Sequence, residues 1–297
     1  MRYRNPPRTY RNAAEDLRAE RREFMQLLVT VLALVLGLLF VLDRAAVWLA
    51  PRMPFAWEAQ IARTLHLDQM GARVMGGGKA VPPTRQREVE AALQARLDRI
   101  ARAIDLPADI QLTAHYVDSS TVNAVATLGG HITVFQGLLS KIEFNEELDA
   151  VLAHEAGHVQ HRHMVRQLSR GLSMAAALGL VGIRSPTLNR WLIGDAQQLQ
   201  MMAYSREAER ESDATAQQAA RQLYGHTGGL TRLFQRFDEM RAKQSTSADW
   251  MVFTQSHPLP AERLASARAG GPQPVLTPLD AVYHSASKPK TTAVPAR

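Results

Sequence analysis

Apolar residues follow one another without a charge from Phe24 to Leu42, a run that reads FMQLLVTVLALVLGLLFVL. As an α-helix this run would extend about 28 Å, which is close to the roughly 30 Å hydrocarbon core of a bilayer. A cleaved signal peptide is the alternative. Its apolar region is shorter and ends at small residues, however, whereas this run is followed by Asp43-Arg44. The pattern therefore predicts an uncleaved transmembrane anchor at residues 24–42.

The segment before the anchor, residues 1–23, is rich in arginine. It holds seven Arg and four acidic residues. Because Lys and Arg are enriched on the cytoplasmic side of a membrane span, we expect residues 1–23 to be cytoplasmic. The chain after residue 43 is then expected to lie on the other side of the membrane.

Downstream of residue 85 the apolar residues recur with the periods of a water-soluble domain. A helical period runs from about Arg87 to Ile104, and alternation from Ile110 to Tyr116 predicts a half-buried strand. Two further apolar segments, Thr121–Ala126 and His131–Phe135, bracket Gly129-Gly130. Together they predict a hairpin.

After residue 137 the pattern is helical almost to the end. A long helix is predicted from about Ala196 to Tyr224, because Gly225 is a natural helix stop. The apolar run Leu172–Ile183 is too short to cross a bilayer, so we expect a core or interfacial helix there. The expected fold is α+β and mainly helical, with a small sheet, behind one N-terminal transmembrane helix.

Composition divides the remaining chain into a linker, one domain and a tail. Residues 43–85 contain Gly76-Gly77-Gly78 and Pro82-Pro83, which predicts a linker with short helices. Residues 86–269 are enough for one substantial core. From residue 270 the sequence is dominated by Pro, Ser, Thr, Lys and Ala, which predicts a disordered tail at residues 270–297.

Cysteine usage and charge exclude several classes of function. The chain has no cysteine, which excludes a disulfide framework and thiol catalysis. Its formal net charge is +7, but residues 1–23 alone contribute +3 of this. The chain has no basic stripe with interleaved aromatic residues, so no nucleic-acid partner is expected.

The motif with the most chemistry is His154-Glu155-Ala156-Gly157-His158, which lies in an otherwise apolar, helix-forming run. Positions i and i+4 share one face of a helix, so the imidazoles of His154 and His158 can bind one zinc ion. Glu155 is turned by roughly 100° and lies beside the metal, where its carboxylate can take a proton from water. The spacing predicts two metal ligands and a general base.

A third ligand is available in the predicted helix that ends at Tyr224. Glu209 and Asp213 are also four residues apart. This suits a ligand carboxylate followed by a second carboxylate that accepts the other N–H of a ligand imidazole. The alternative for such a pair in isolation is a solvated charged face. Two nearby histidines, His161 and His163, are expected to be surface or packing residues, because the spacing of His154 and His161 is too long to share a zinc ion.

Several separate motifs resemble the membrane-linked gluzincins, a family of zinc metalloproteases that includes HtpX, BepA and the CaaX prenyl protease. They occur in the family's order over roughly residues 86–270. They are Val122-Asn123-Ala124, Gly129-Gly130-His131-Ile132, Gly137-Leu138-Leu139, Glu147-Leu148, Val151-Leu152-Ala153-His154-Glu155 and Ser205-Arg206 with Glu209 and Asp213.

The resemblance implies a minigluzincin-type zinc metallopeptidase domain, nearer to the BepA-type periplasmic branch. It implies one Zn²⁺ per chain, held by His154, His158 and Glu209. Glu155 is then the general base, and Asp213 accepts the other N–H of a ligand imidazole without binding the ion itself. The implied protein is a single-pass protease of the bacterial inner membrane, with its catalytic domain in the periplasm. Its expected substrates are unfolded or misassembled envelope proteins, in a role of protein quality control.

Two further site expectations follow from particular segments. An edge strand beside the metal can hold an extended substrate, and we expect Gly129, Gly130, His131 and Ile132 to belong to such a strand. His257 precedes Pro258 and is therefore expected in extended or turn backbone. The resemblance to BepA implies that His257 can take the fourth ligand position and keep the protease latent. The alternative is that His257 packs locally, with Glu262 and Arg263 paired on the surface.

Two functions of other classes remain open at this point. One is a catalytically silent, zinc-stabilised scaffold or chaperone-like module. Glu155 argues against it, because a structural site needs no base. The other is a membrane adaptor in which the HExxH motif is accidental, an idea that stoichiometric zinc in the purified protein would exclude.

Overall fold

The computed structural model describes residues 13–49, 52–64, 81–169, 204–242, 257, 263, 265 and 274–284. The helices are α1 (Ala13–Leu49), α2 (Phe55–Thr64), α3 (Pro83–Ala103), α4 (Gln136–Leu139), α5 (Asn145–Gln160), α6 (Arg206–Tyr224) and α7 (Gly228–Ala242). The strands are β1 (Thr113–Val117), β2 (Ala124–Ala126) and β3 (His131–Phe135), with short 3₁₀ turns at Leu128–Gly130 and Ala281–Tyr283. This confirms a mainly helical α+β fold with a small sheet.

Helix α1 contains the predicted apolar run and extends beyond it at both ends. Within the described residues it is the one helix long and apolar enough to cross a membrane, and its apolar stretch Leu17–Ala45 is unburied. Its large apolar side chains, such as Leu34 and Phe40, face outward on all sides. A core helix of a soluble domain would bury these side chains, so α1 has the surface of a lipid-exposed helix.

The sheet has the strand order β1-β3-β2. Strand β3 pairs in parallel with β1 and antiparallel with β2. The hairpin of β2 and β3 is therefore confirmed, but the expectation that residues 129–132 belong to an edge strand is wrong. Periodicity predicts each strand, but it does not predict that β1 pairs with the free side of β3 and makes it the central strand.

Side chains of α3 close the outer edge of β1. Gln94 accepts a hydrogen bond from Ala114 N at 2.9 Å and donates to Leu112 O at 3.0 Å. Glu90 accepts from Tyr116 N at 3.1 Å. These bonds satisfy the backbone groups that an added strand would need, so β2 is the edge of the sheet that remains for strand pairing.

Helix α5 lies at the centre of the main core, between the sheet, α3, α6 and α7. Gly157 allows α5 to lie close to α6, because it has no side chain. A Cβ at this position would lie 2.9 Å from Ser212 Cα and 3.1 Å from Thr215 Cβ. A larger residue at position 157 would push the helices apart. The small residue in the middle of the HExxH motif thus brings the carboxylates of α6 within reach of the α5 histidines.

Helix α6 begins later than predicted. Ser205 caps it, since its side chain accepts from Ala208 N, and the first helical residue is Arg206. Tyr204 and Ser205 are not helical. The predicted stop is confirmed, because Gly225 has the left-handed φ of 76°. The predicted helical segments at 172–183 and 196–203 lie outside the described residues.

Residues 274–284 contradict the prediction of a disordered tail for that stretch. Thr277 O accepts from Asn145 N, and Leu279 N donates to Glu143 O. Tyr283 is almost fully buried, and its hydroxyl accepts from Arg96 Nε at 2.9 Å. The average composition of the tail does not predict this order, because only a few apolar residues among Pro and Thr pack against the domain.

Candidate metal centre

The two histidines of the HExxH motif face each other on α5. His154 Nε2 and His158 Nε2 are 3.0 Å apart, and both side chains are buried. Their i and i+4 positions account for the shared direction. The structure therefore places both rings as the spacing predicts.

Glu209 of α6 and His257 complete a group of four. Glu209 Oε1 lies 3.5 Å from His158 Nε2 and 3.1 Å from His257 Nδ1. Glu209 Oε2 lies 3.6 Å from His154 Nε2, and His257 Nδ1 lies 3.3 Å from His154 Nε2. The four ligand atoms all lie within 4.8 Å of one another.

These distances fit a four-coordinate metal ion. With ligand bonds of about 2.0–2.1 Å, a tetrahedral ion places its ligand atoms about 3.3 Å apart. The separations given above, 3.0 to 3.6 Å, lie on both sides of that value, with His154 measured to Glu209 Oε2 and the other two histidines to Glu209 Oε1. With one atom from each residue the four lie within 4.8 Å of one another, so a small approach of these side chains would bring all four to bonding distance of one ion. Three imidazoles and one carboxylate are also the donor set that a borderline-soft divalent ion prefers.

The charge of the site also favours a bound divalent cation. Three buried carboxylates, from Glu155, Glu209 and Asp213, surround one buried guanidinium, that of Arg263. With the carboxylates ionised and the histidines neutral, the cluster carries two uncompensated negative charges. Buried charge is costly unless it is paired, so a divalent cation would stabilise this site.

Asp213 holds the ring of His154 from behind. Its Oδ1 lies 3.0 Å from His154 Nδ1, on the opposite side of the ring from the ligand nitrogen. Arg263 in turn holds both α6 carboxylates: its Nε and Nη2 donate to Asp213 at 2.6 and 2.7 Å, and its Nη1 lies 2.5 Å from Glu209 Oε2. A surface pair of Arg263 with Glu262 was one expectation from the sequence, but Arg263 is buried in the site.

His163 holds the ring of His158 in the same way. Its Nδ1 lies 2.9 Å from His158 Nδ1, and its Nε2 lies 2.7 Å from Glu211 Oε2. The expectation of a surface histidine is therefore wrong for His163, which is buried and packs against His158. Sequence spacing missed it because Arg162, with a left-handed φ of 57°, turns the chain after α5 and brings His163 back to His158. His161, in contrast, is half-buried and contacts Thr215 Oγ1 at 3.2 Å.

Glu155 lies beside the four ligand atoms and is fully buried. One carboxylate oxygen, Oε2, accepts a hydrogen bond from Ala126 N of β2 at 2.8 Å. The other, Oε1, has no hydrogen bond within the described residues and lies 3.5 Å from His257 Nε2. Burial raises the pKa of Glu155, although His257, His154 and the Ala126 N–H partly oppose the shift. A carboxylate with a raised pKa is a better proton acceptor near neutral pH.

Burial and neighbouring charges shift the pKa values of the other site residues in different directions. Burial lowers the pKa of His158 well below its ordinary value, so its ring stays neutral and available as a ligand. Burial alone would raise the pKa of Glu209, but His257, His158 and His154 outweigh it and lower that pKa. Burial also opposes the charged form of His257, yet Glu155 and Glu209 raise its pKa overall.

The residues of the predicted substrate strand lie in the β2–β3 turn and at the start of the central strand β3. Gly129 and Gly130 both have a left-handed φ of 79° and form the turn between β2 and β3. His131 Nδ1 lies 2.9 Å from His115 Nε2, and Ile132 is in the core. The backbone that contacts Glu155 belongs to β2, at Ala126.

The profile of peptidase family M48 matches residues 87–270, which is more than half of the chain. The chain belongs to peptidase family M48. This agrees with the arrangement of the HExxH histidines and Glu209 described above, which all lie within the matched residues.

Three relatives share part of the chain at modest identity. The chain is 28% identical over 164 residues to the beta-barrel assembly-enhancing protease of Escherichia coli strain K12, covering 51% of this chain and 33% of that protein. It is 25% identical over 165 residues to the mitochondrial metalloendopeptidase OMA1 of Schizosaccharomyces pombe, covering 54% and 47%. It is 29% identical over 154 residues to the metalloprotease YcaL of Escherichia coli strain K12, covering 50% and 58%. In each case the match spans less than two thirds of the relative.

Proposed function

We propose that this M48 peptidase is a zinc-dependent endopeptidase, anchored in the inner membrane by α1, that cleaves unfolded or misassembled envelope proteins. The observation that carries the proposal is the buried group of His154, His158, Glu209 and His257, with the base-like Glu155 beside it. An accidental HExxH motif gives no reason for a second helix to supply a carboxylate to the same point.

In this proposal each residue has a separate task. His154, His158 and Glu209 hold the ion, and Asp213 and His163 keep the two rings in the orientation that ligation requires. Bound zinc supplies Lewis acidity, which polarises the scissile carbonyl and activates water. Glu155 accepts the proton of the attacking water at Oε1 and delivers it to the leaving amine, while the Ala126 N–H fixes Oε2.

Strand β2 is the proposed substrate-binding edge, in place of the 129–132 segment. Asn123 O accepts from Phe135 N and Thr127 N donates to His131 O, so residues 123 and 127 bond toward β3. By alternation, the backbone of Ala124 and Ala126 points away from β3. The Ala126 N–H already donates to Glu155 Oε2, so pairing with a substrate strand is proposed at Ala124 and at the carbonyl of Ala126. Main-chain pairing there would accept many sequences in extended form, which suits unfolded protein substrates.

His257 is proposed to keep the enzyme latent. Its Nδ1 faces Glu209 and His154, where it can act as the fourth ligand and exclude water from the ion. Glu155 and the residues of β2 are buried in the same conformation. A substrate would therefore have to displace His257 before cleavage, which protects correctly folded neighbours from proteolysis.

The envelope role is supported by the relative named beta-barrel assembly-enhancing protease and by the apolar surface of α1. To test the function, the full chain in detergent is incubated with a chemically unfolded protein, with a chelator, and with zinc restored after chelation. We expect cleavage that the chelator abolishes and that zinc restores. Bound zinc without cleavage of any unfolded substrate would instead favour a silent scaffold.

A further inference from the structure

Helix α2 follows the apolar helix α1 after only residues 50–54 and has two different faces. One face, formed by Phe55, Glu58 and Ala62, is buried. The opposite face is exposed, although it carries large apolar side chains. We call it the outer face of α2, and it consists of Trp57, Gln60, Ile61 and Thr64.

The buried face of α2 is bonded to two separate parts of the protease domain. Glu58 Oε2 accepts from Arg162 Nε at 2.5 Å, and Glu58 Oε1 accepts from Gly129 N at 3.1 Å. Arg162 comes two residues after the end of α5, and Gly129 lies in the β2–β3 turn. The Arg162 guanidinium also lies over the ring of Phe55, 5.3 Å from its centroid. Because these charges are buried, α2 cannot leave the domain without exposing an unpaired group.

The outer face has the composition of a membrane interface. Trp57 is 60% exposed and Ile61 is 44% exposed, one turn apart on the helix. At the end of α1, Trp48 is 61% exposed, and the Arg52 guanidinium lies over its ring at 4.0 Å from the centroid. Tryptophan with an apolar body and a polar edge is enriched where hydrocarbon meets head groups, and arginine extends its charge toward them.

Chain length limits what this face can contact. A connection of residues 50–54 reaches at most about 20 Å even when fully extended. Helix α2 is thus held near the end of the apolar surface of α1, so that lipid around α1 would be within its reach. We propose that the outer face of α2 inserts into the interfacial region of the bilayer that α1 spans, and so holds the protease domain directly on the lipid surface. This rests on the proposed membrane anchorage of α1.

The consequence concerns where substrates are cleaved. Residues 43–85 would then include a rigid membrane contact instead of a simple flexible tether. Because α2 is bonded to Arg162 and Gly129, the metal site would be held at a fixed distance from the membrane. Chains that emerge at the membrane surface are then the accessible substrates.

The chain lacks cysteine, so a single engineered cysteine gives a unique label. We would place an environment-sensitive fluorophore at Ile61→Cys, at Leu32→Cys within α1, and at the exposed Glu88→Cys of α3 as the aqueous control. Each full-length variant is reconstituted into vesicles of phosphatidylethanolamine and phosphatidylglycerol. Quenching is then measured with aqueous iodide and with a lipid that carries a spin label near its head group.

We expect the labels at positions 32 and 61 to emit at shorter wavelength than the label at 88 and to be quenched several-fold less by iodide. The label at 61 should also be quenched by the spin-labelled lipid. A lipid-exposed label at 32 with an iodide-accessible label at 61 would overturn the inference and leave the anchor intact. A label at 61 that neither quencher reaches would mean that protein covers this face, which also overturns it. An aqueous label at 32 would contradict the anchor itself.

Discussion

At the scale of single residues, the site depends on two histidines whose rings are oriented by different partners. Asp213 contacts His154 Nδ1, whereas His163 contacts His158 Nδ1 and is itself bonded to Glu211. Such partners of a ligand imidazole select its tautomer and orient its ring. The two proposed ligands therefore depend on separate parts of the chain, and the contribution of each can be measured separately.

We predict that His163→Ala lowers zinc affinity about 10- to 100-fold, because His158 loses the group that orients its ring. His161→Ala is the matched control, since His161 contacts Thr215 and no ligand. Competition with a chromophoric chelator measures both affinities. Equal affinities for the two variants would show that the His163 contact does not support ligation.

We predict that His257→Ala raises proteolysis or self-cleavage while zinc content stays at one ion per chain, because the proposed fourth ligand is removed. His284→Ala, an exposed histidine far along the chain, serves as the control. Cleavage rate and metal content are measured on the same preparation. Lower activity with intact metal would make His257 a substrate-site or structural residue and would contradict latency.

The sequence predicts the residues of the site where spacing alone determines geometry. His154 and His158 share a helix face, and the i and i+4 pair Glu209 and Asp213 lies opposite them as the pattern indicates. Arg263 was not predicted as a site residue, because its contacts depend on where a distant part of the chain returns to α6. No local pattern carries that information.

At the scale of elements, the hairpin was predicted but its place in the sheet was not. Alternation and Gly129-Gly130 indicate two strands and a tight turn. Which hairpin strand pairs with β1 depends on tertiary packing, and β1 pairs with β3. The tail was mispredicted for a similar reason, since Tyr283 contributes to the core although its neighbours in sequence are polar or small.

We predict that Ala124→Pro reduces cleavage of an unfolded protein while zinc content is retained, because it removes an N–H from the free edge of β2. Val125→Pro is the contrasting variant, since residue 125 pairs with Thr133 and its loss should destabilise the sheet. Thermal unfolding distinguishes the two effects. Full activity of a folded Ala124→Pro enzyme would exclude main-chain pairing at that position.

At the scale of the whole molecule, the proposed anchorage by α1 gives the protein one orientation across the membrane. We predict that a reporter active only outside the cytoplasm is active when fused after Thr64, and that a reporter active only in the cytoplasm is active when fused before residue 1. The protein should pellet with membranes and keep its first residues. A soluble form that begins near residues 46–51 would show that the apolar segment is a cleaved signal.

The central claim is that Glu155 is the base of a zinc endopeptidase, and it is tested by zinc content and cleavage rate measured together in wild-type and Glu155→Gln protein. The amide keeps the volume of the side chain and has no charge to accept a proton. We predict one zinc ion per chain in both proteins and a loss of cleavage of about 10²- to 10⁴-fold in the variant. Full activity of a zinc-loaded Glu155→Gln enzyme would contradict the mechanism.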